Sequence, residues 1–552
     1  MATTADALLA TVRADPDADL PRLVYADHLD DTGDADRAEF IRVQCELARL
    51  DEWDDRRPAL EDREHELLDA NEPAWLGELG GYCYEWEWRR GFVDEVSGSA
   101  GQFRWMGSTS YAGHPVQRAH IVTWRAGPNM PQGVFPGPWM TPLRRLSLAD
   151  AELTSGMLRA LVRSPDLSAL TALDVSENPV LAELPDVLAE ASFLDGLREL
   201  EAGGQTRLGR SAEAGDRLDG ERLSVVIANS PVERMLLLDC GLTGYDLGHL
   251  LTVSRAGRLT DWDVSDNNLR DRDYLLFGHG PTALTRLAVS GNSAGSGGLG
   301  RLVEADGLQQ LSRFEANRTA TNPRRLAMTG FWGRATELRL HSCGIGGEEM
   351  DAFDNDGVWQ GLRLLDLADN ELGPDGGLKL ADAARTNRLT WLALSRNRLN
   401  DAAVAQLARC DMFTHLRTLH LAFDPITDAG AAVLASAPSL ARLRLLTFSH
   451  TEITDRSVQV LLDAPHWQLS GLGLAGCNLS ERAVHALATS PRLHRLQWLD
   501  LSGNPRLGGD ALMPLAESPH LSRLCELDIG GVDASDRVRD ALRQRLGRRL
   551  SD

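Results

Sequence analysis

The 552 residues contain no run of about 18 apolar side chains, the length a helix needs to cross a bilayer. The first residues, MATTADALLATVRADPD, lack both a basic start and a long apolar stretch. The expectation is a cytoplasmic chain without membrane contact. Seven cysteines are scattered, which reads as reduced thiols rather than a disulfide framework. Positive charge is also short: 57 Lys and Arg face 80 Asp and Glu, a formal net charge of −23. Sequence-independent nucleic-acid binding rests on basic side chains neutralising phosphates, so nucleic acid is not an expected partner. A basic protein partner is compatible with this charge, although acidity also serves plain solubility. Motifs of chemistry are missing too: there is no GxxxxGK[ST], HExxH or paired CxxC. DDTGDADRAE has the acid content of a calcium loop without its spacing. These absences predict no enzyme, no metal and no cofactor.

What is present is a repeated spelling. Its cleanest copy is Leu389 to Leu399, LTWLALSRNRL; LRLLDLADNEL from Leu362 and LRTLHLAFDPI from Leu416 repeat it. The first apolar residue of each copy falls at 143, 170, 197, 232, 259, 284, 311, 335, 362, 389, 416, 443, 469, 496 and 524. Most steps are 27 residues, within the window of about 20 to 29 residues of leucine-rich repeats, which this spelling resembles. Two apolar residues per copy alternate inward on a short strand, and position nine (Asn178, Asn267, Asn397, Cys477, Asn504) can bond backbone at the turn. Capping residues such as Asn400, Thr427, Thr454 and Ser480 then open short amphipathic helices. Strand plus helix on this period resembles the ribonuclease-inhibitor subtype. The resemblance implies an α/β solenoid, a horseshoe with a parallel concave sheet and convex helices. One copy cannot offset its own ordering entropy, so stability must come from stacking.

Ahead of the repeats, residues 4 to about 70 read as four helices, one stopped by Pro16 and another by Gly33. Leu8 to Leu50, including Asp15, Pro16, Arg22, Tyr25, Asp27, Arg37, Glu39 and Phe40, resembles the small companion domain that precedes leucine-rich repeats in many bacterial proteins. His28 stands where that family has Trp, and the resemblance implies no catalytic activity. The expected organisation is a helical companion domain at 1–75, a β-containing cap and loop at 76–142, about fifteen repeats at 143–534 and a capping helix at 535–552. Val116 to Thr123 is expected as the strand that caps the solenoid, and Arg125 to Pro142 as a loop without regular structure. Two places break rhythm: 202–230 carries about eight extra residues, and 311–334 is short.

Residues two and four after the first leucine of each copy should face outward. From Leu364 to Trp498 these rows offer Leu364, Trp391, Leu445 and Trp498, flanked by Asp366, His420 and Asp500. Large apolar groups at outward positions with a polar rim have the composition of interface hot spots. Further upstream lies an acidic group, Asp174, Glu199, Glu201, Asp261 and Asp263. The expected function is a non-enzymatic scaffold or regulatory subunit that recognises a partner protein on the concave face, with no oligomeric state implied. The alternative is an enzyme, or its substrate-recognition subunit, using His341, His420, His450, Asp366 and Asp424.

Overall fold

The computed structural model describes residues 3–50, 54, 56–103, 113–123, 137–204, 216–254, 258–280, 283–303, 308–320, 331–353, 361–383, 388–546 and 550–551. It divides into two compact units, Met1–Asp261 and Trp262–Asp552.

The first unit opens with helices α1 (Thr4–Ala14), α2 (Asp19–Thr32), α3 (Ala35–Arg49) and α4 (Arg57–Leu76). Their boundaries follow local chemistry. Thr3 and Asp6 form a reciprocal capping box on α1, and Gly33, at φ 94°, closes α2 in the left-handed conformation. Against the helices docks a hairpin of β1 (Glu85–Arg89) and β2 (Phe92–Ser99). Its two turn residues, Arg90 and Gly91, both have positive φ, as a tight hairpin with right-handed strand twist requires. Arg37 lies buried among Phe40, Trp75, Trp88 and Phe92, its guanidinium 4.8 to 5.4 Å from their ring centroids. Burial in that aromatic cage pulls its pKa down to about 10. The Glu72 carboxylate accepts the indole N–H groups of Trp86 and Trp88. The hairpin therefore completes the helical core.

From β2 the sheet of this unit continues in parallel through β3 (Arg118–Thr123) to Arg145–Ser147, Ala172–Asp174, Glu199–Gly203 and Arg234–Leu238. The strand expected at Val116–Thr123 thus does not end the sheet. Among the described residues the end strand is β1, the one antiparallel member. In the expected loop Arg125–Pro142, residues 125–136 lie outside the described residues. Its remainder is not irregular: Pro138–Met140 forms a 3₁₀ turn that buries Trp139 and Met140, and Trp139 stacks on Phe103 at 5.1 Å. Those two side chains are too apolar to leave in water. In the rhythm break at 202–230, residues 205–215 lie outside the described residues, and Gly220–Ile227 is helical. The short copy at 311–334 retains its strand, Arg313–Glu315, with 321–330 outside the described residues.

In the second unit parallel strands run in register from Arg286–Ala288 to Glu526–Asp528, joined at the end by Leu550–Ser551. Across both units each of the fifteen repeat strands begins two residues after the first apolar residue of its copy. Leu365, Leu392, Leu419 and Leu446 point inward and are buried, as are Leu367, Leu394, Leu421 and Phe448 two residues on.

Position nine ties neighbouring copies together. Asn397 Nδ2 donates to the carbonyls of Leu367, Leu394 and Ser395, and Asn504 Nδ2 to those of Leu474, Leu501 and Ser502. The Cys477 thiol and Thr451 hydroxyl satisfy the Phe448 carbonyl in the same way. Helix starts are linked as well. Asp401 accepts from the N–H and hydroxyl of Thr427, and Asp428 from those of Thr454. At the C-terminal end, helix Asp536–Leu546 buries Val538, Leu542 and Leu546. There Arg545 donates to the carbonyls of Leu515, Ala516, Ser518 and Leu521.

Candidate interaction surface

Parallel pairing without slippage turns the outward positions of the second unit into two straight rows. One runs Glu337, Leu364, Trp391, Thr418, Leu445, Gly471, Trp498; the other runs Arg339, Asp366, Ala393, His420, Thr447, Gly473, Asp500. Leu364 therefore stands beside Trp391, and both are half-buried. The Trp391 ring is bracketed by the Arg339 guanidinium, 5.4 Å from its centroid, and by the His420 ring at 5.2 Å. Burial pushes the His420 pKa down while Asp366 pulls it back, and its Nδ1 lies 3.1 Å from the Thr447 hydroxyl. Burial, aided by Asp263, raises the Glu315 pKa against the pull of Arg286 and Arg339.

Trp498 has a second task. A Cβ on Gly471 would lie 3.2 Å from its Cε3, and one on Gly473 3.1 Å from its Cη2. The indole spreads over the bare backbone of the preceding strand, filling space those glycines leave.

The acidic residues are engaged locally. Oδ1 of Asp366 accepts the Ala368 N–H at 3.0 Å, and Oδ1 of Asp500 accepts the N–H and hydroxyl of Ser502. Asp174 and Asp263 cap the turns at Ser176 and Ser265 in the same way and are each 8% exposed. The sequence signal is an Asp, an apolar residue and a small residue, spelled DVS, DVS, DLA and DLS in these four copies. In the first unit Glu199 pairs with Arg145 at 2.5 Å, and Glu201 lies 3.5 Å from the same guanidinium. Asp261 closes the first unit, half-buried at the start of its strand. In the second unit Arg286 lies 3.8 Å from Asp263 and 3.6 Å from Glu315.

The histidines and acids of the enzyme alternative are spread over different layers. His341 and His420 belong to repeats three strands apart, about 14 Å at 4.8 Å per step. His450 leaves the rows for the turn, and Asp424 is buried, 2% exposed. Asp424 Oδ1 accepts the N–H groups of Asn397 and Leu399, while its Oδ2 is buried without a hydrogen-bond partner. Burial raises its pKa to about 7.

A further row was invisible in the spelling. The residue before position nine adopts positive φ in successive copies, including Arg396 at 58°, Phe423 at 60° and His450 at 57°. In that conformation the N–H still reaches the next copy: Arg396 donates to Ala422, Phe423 to Ser449 and His450 to Ala475. The turn therefore forces a left-handed residue whatever its side chain. There the Arg396 guanidinium lies 3.7 Å from the Phe423 ring centroid, and Phe423 stacks on His450 at 4.2 Å with planes 17° apart. Phe423 remains 41% exposed.

Residues 362–381 and 414–435 match a family model described as leucine rich repeat. No curated protein matches the chain. Among solved structures, the chain is similar to an internalin of Listeria monocytogenes at 15% identity, TM-score 0.32, covering 72% of this chain and 94% of that one. It is likewise similar to a leucine-rich repeat protein of Leptospira interrogans at 16% identity, TM-score 0.36, covering 75% and 96%. Among the described residues no helix is long and apolar enough to cross a membrane. The recurring period of mostly 27 residues, the strand that opens each copy at the same place and the position-nine bonds between copies all agree with the family match: the chain folds as an α/β solenoid of leucine-rich repeats.

Proposed function

We propose that the chain is a non-enzymatic recognition module that binds one partner protein on the outward sheet face of its second unit. The observation that supports this most is Leu364 beside Trp391. These large apolar side chains occupy positions the core does not use, rimmed by Arg339, Asp366 and His420. Trp391 is already held between Arg339 and His420, so binding would cost little further side-chain entropy. The short helices on a 27-residue period favour the ribonuclease-inhibitor subtype and, with it, a role as an inhibitor or accessory subunit. Because Glu199, Glu201 and Asp263 lie beside arginines of this chain, the partner is chosen more by apolar contact than by its own positive charge. The test is capture from a lysate of the native host by the intact chain, followed by affinity measurement with the purified partner. Trp391→Ala and Leu364→Ser should each remove binding while leaving the thermal melt within about 2 °C. Binding that survives both substitutions would move the site elsewhere.

A further inference from the structure

The first unit contains a cleft of about 320 Å³, at the small end of the roughly 300 to 1,000 Å³ of ligand pockets. Pro16, Pro115, Pro138 and Pro142 wall it, and Arg13 and Arg144 line it. Proline walls are pre-ordered, so a ligand seated there loses little to induced ordering. Among the described residues neither arginine has a carboxylate within ion-pair distance, and the Arg144 guanidinium makes a single hydrogen bond, to the Ala169 carbonyl at 3.5 Å. Arginines nearby in the chain differ: Arg118 is paired with Asp94, and Arg145 with Glu199. His114, also in the lining, is spent, since its Nδ1 accepts the Val93 N–H and its Nε2 faces the Trp75 carbonyl.

The sequence around the cleft is unusual for this chain. From Val96 to Ala149 there is no Asp or Glu, where the average of 80 in 552 would place about eight, while five arginines are kept. A protein of net charge −23 has no solubility reason to clear acids from this stretch.

We propose that this cleft binds an organic anion with an apolar body, its carboxylate or phosphate taken by Arg13 and Arg144 and its body lying against the proline rings. Guanidinium groups bind planar carboxylate and phosphate oxygens in a forked geometry, which suits both headgroups. Calorimetric titration of the full-length chain with benzoate and with phenyl phosphate tests it. Saturable one-site binding of either probe is expected, and whichever binds more tightly identifies the headgroup. Arg13→Gln and Arg144→Gln should each weaken binding about tenfold, with the melt unchanged because both side chains are exposed. Arg163→Gln, which removes an ion pair to Glu190 outside the cleft, should leave binding intact. Absence of saturable binding of both probes up to about 10 mM, or equal binding by the Arg13→Gln/Arg144→Gln double variant, overturns the proposal.

Discussion

Asp424 accepts the backbone N–H of Asn397 at 2.9 Å, taking in its own copy the place that Asn397 holds in the copy before. The two side chains have the same shape and opposite abilities. Asn397 also donates to three carbonyls, whereas an ionised Asp424 has nothing to donate, and its buried Oδ2 finds no partner. Burial accordingly lifts its pKa from 3.8 to about 7. The folded chain holds this proton more tightly than the unfolded chain does. Its contribution to stability is full below pH 4, is lost as pH rises toward 7 and stays lost above. Asp424→Asn should therefore stabilise by roughly 2 to 4 kcal/mol at pH 8, with the gain falling by about half at pH 5. Urea unfolding at both pH values checks this; an equal gain at each would contradict it.

Asn504 serves five backbone groups, donating to three carbonyls and accepting the N–H groups of Cys477 and Leu479. Asn504→Ala should cost about 3 kcal/mol or more, since buried groups lose their partners without water to replace them. Asn504→Asp should reproduce the pH dependence of Asp424 at a second place. A pH-independent Asn504→Asp would count against the electrostatic explanation.

Much of this was legible in the spelling, because a fixed period leaves each leucine only one way to line a shared interior. The places of all fifteen strands, the position-nine contacts and the capped helix starts follow from residue type and spacing alone. The left-handed row was not legible, since Arg396, Phe423 and His450 are there for the turn and lack the usual glycine. The upstream acids looked like an open patch because sequence cannot tell a free carboxylate from one capping a turn at Ser176 or paired to Arg145. Trp498 read as an outward aromatic, and only the register with Gly471 and Gly473 reveals what it covers.

Gly91 sits at φ 86° with its α-carbon against α3, where a Cβ would come within 2.4 Å of Ile41 Cγ1 and 2.7 Å of its Cα. Gly91→Ala should cost more than about 2 kcal/mol by overpacking and by left-handed strain. The measurement is a red shift in tryptophan emission as Trp86 and Trp88 leave Glu72, together with a lower urea midpoint. A native-like spectrum and midpoint would show that the hairpin tolerates displacement.

Trp498 and Trp391 should separate by assay. Trp498→Ala uncovers Gly471 and Gly473 and should destabilise by about 2 kcal/mol. Trp391→Ala, on a face where the core does not depend on it, should cost less than about 1 kcal/mol. Equal losses in chemical denaturation would mean both rings are structural cover.

The most direct test is the affinity of a purified native partner for the wild-type chain and for the Leu364→Ser/Trp391→Ala double variant, each confirmed folded by its melt. Recognition through the outward face of the second unit predicts at least about a hundredfold loss of affinity in the double variant. Unchanged affinity in a folded double variant would contradict it.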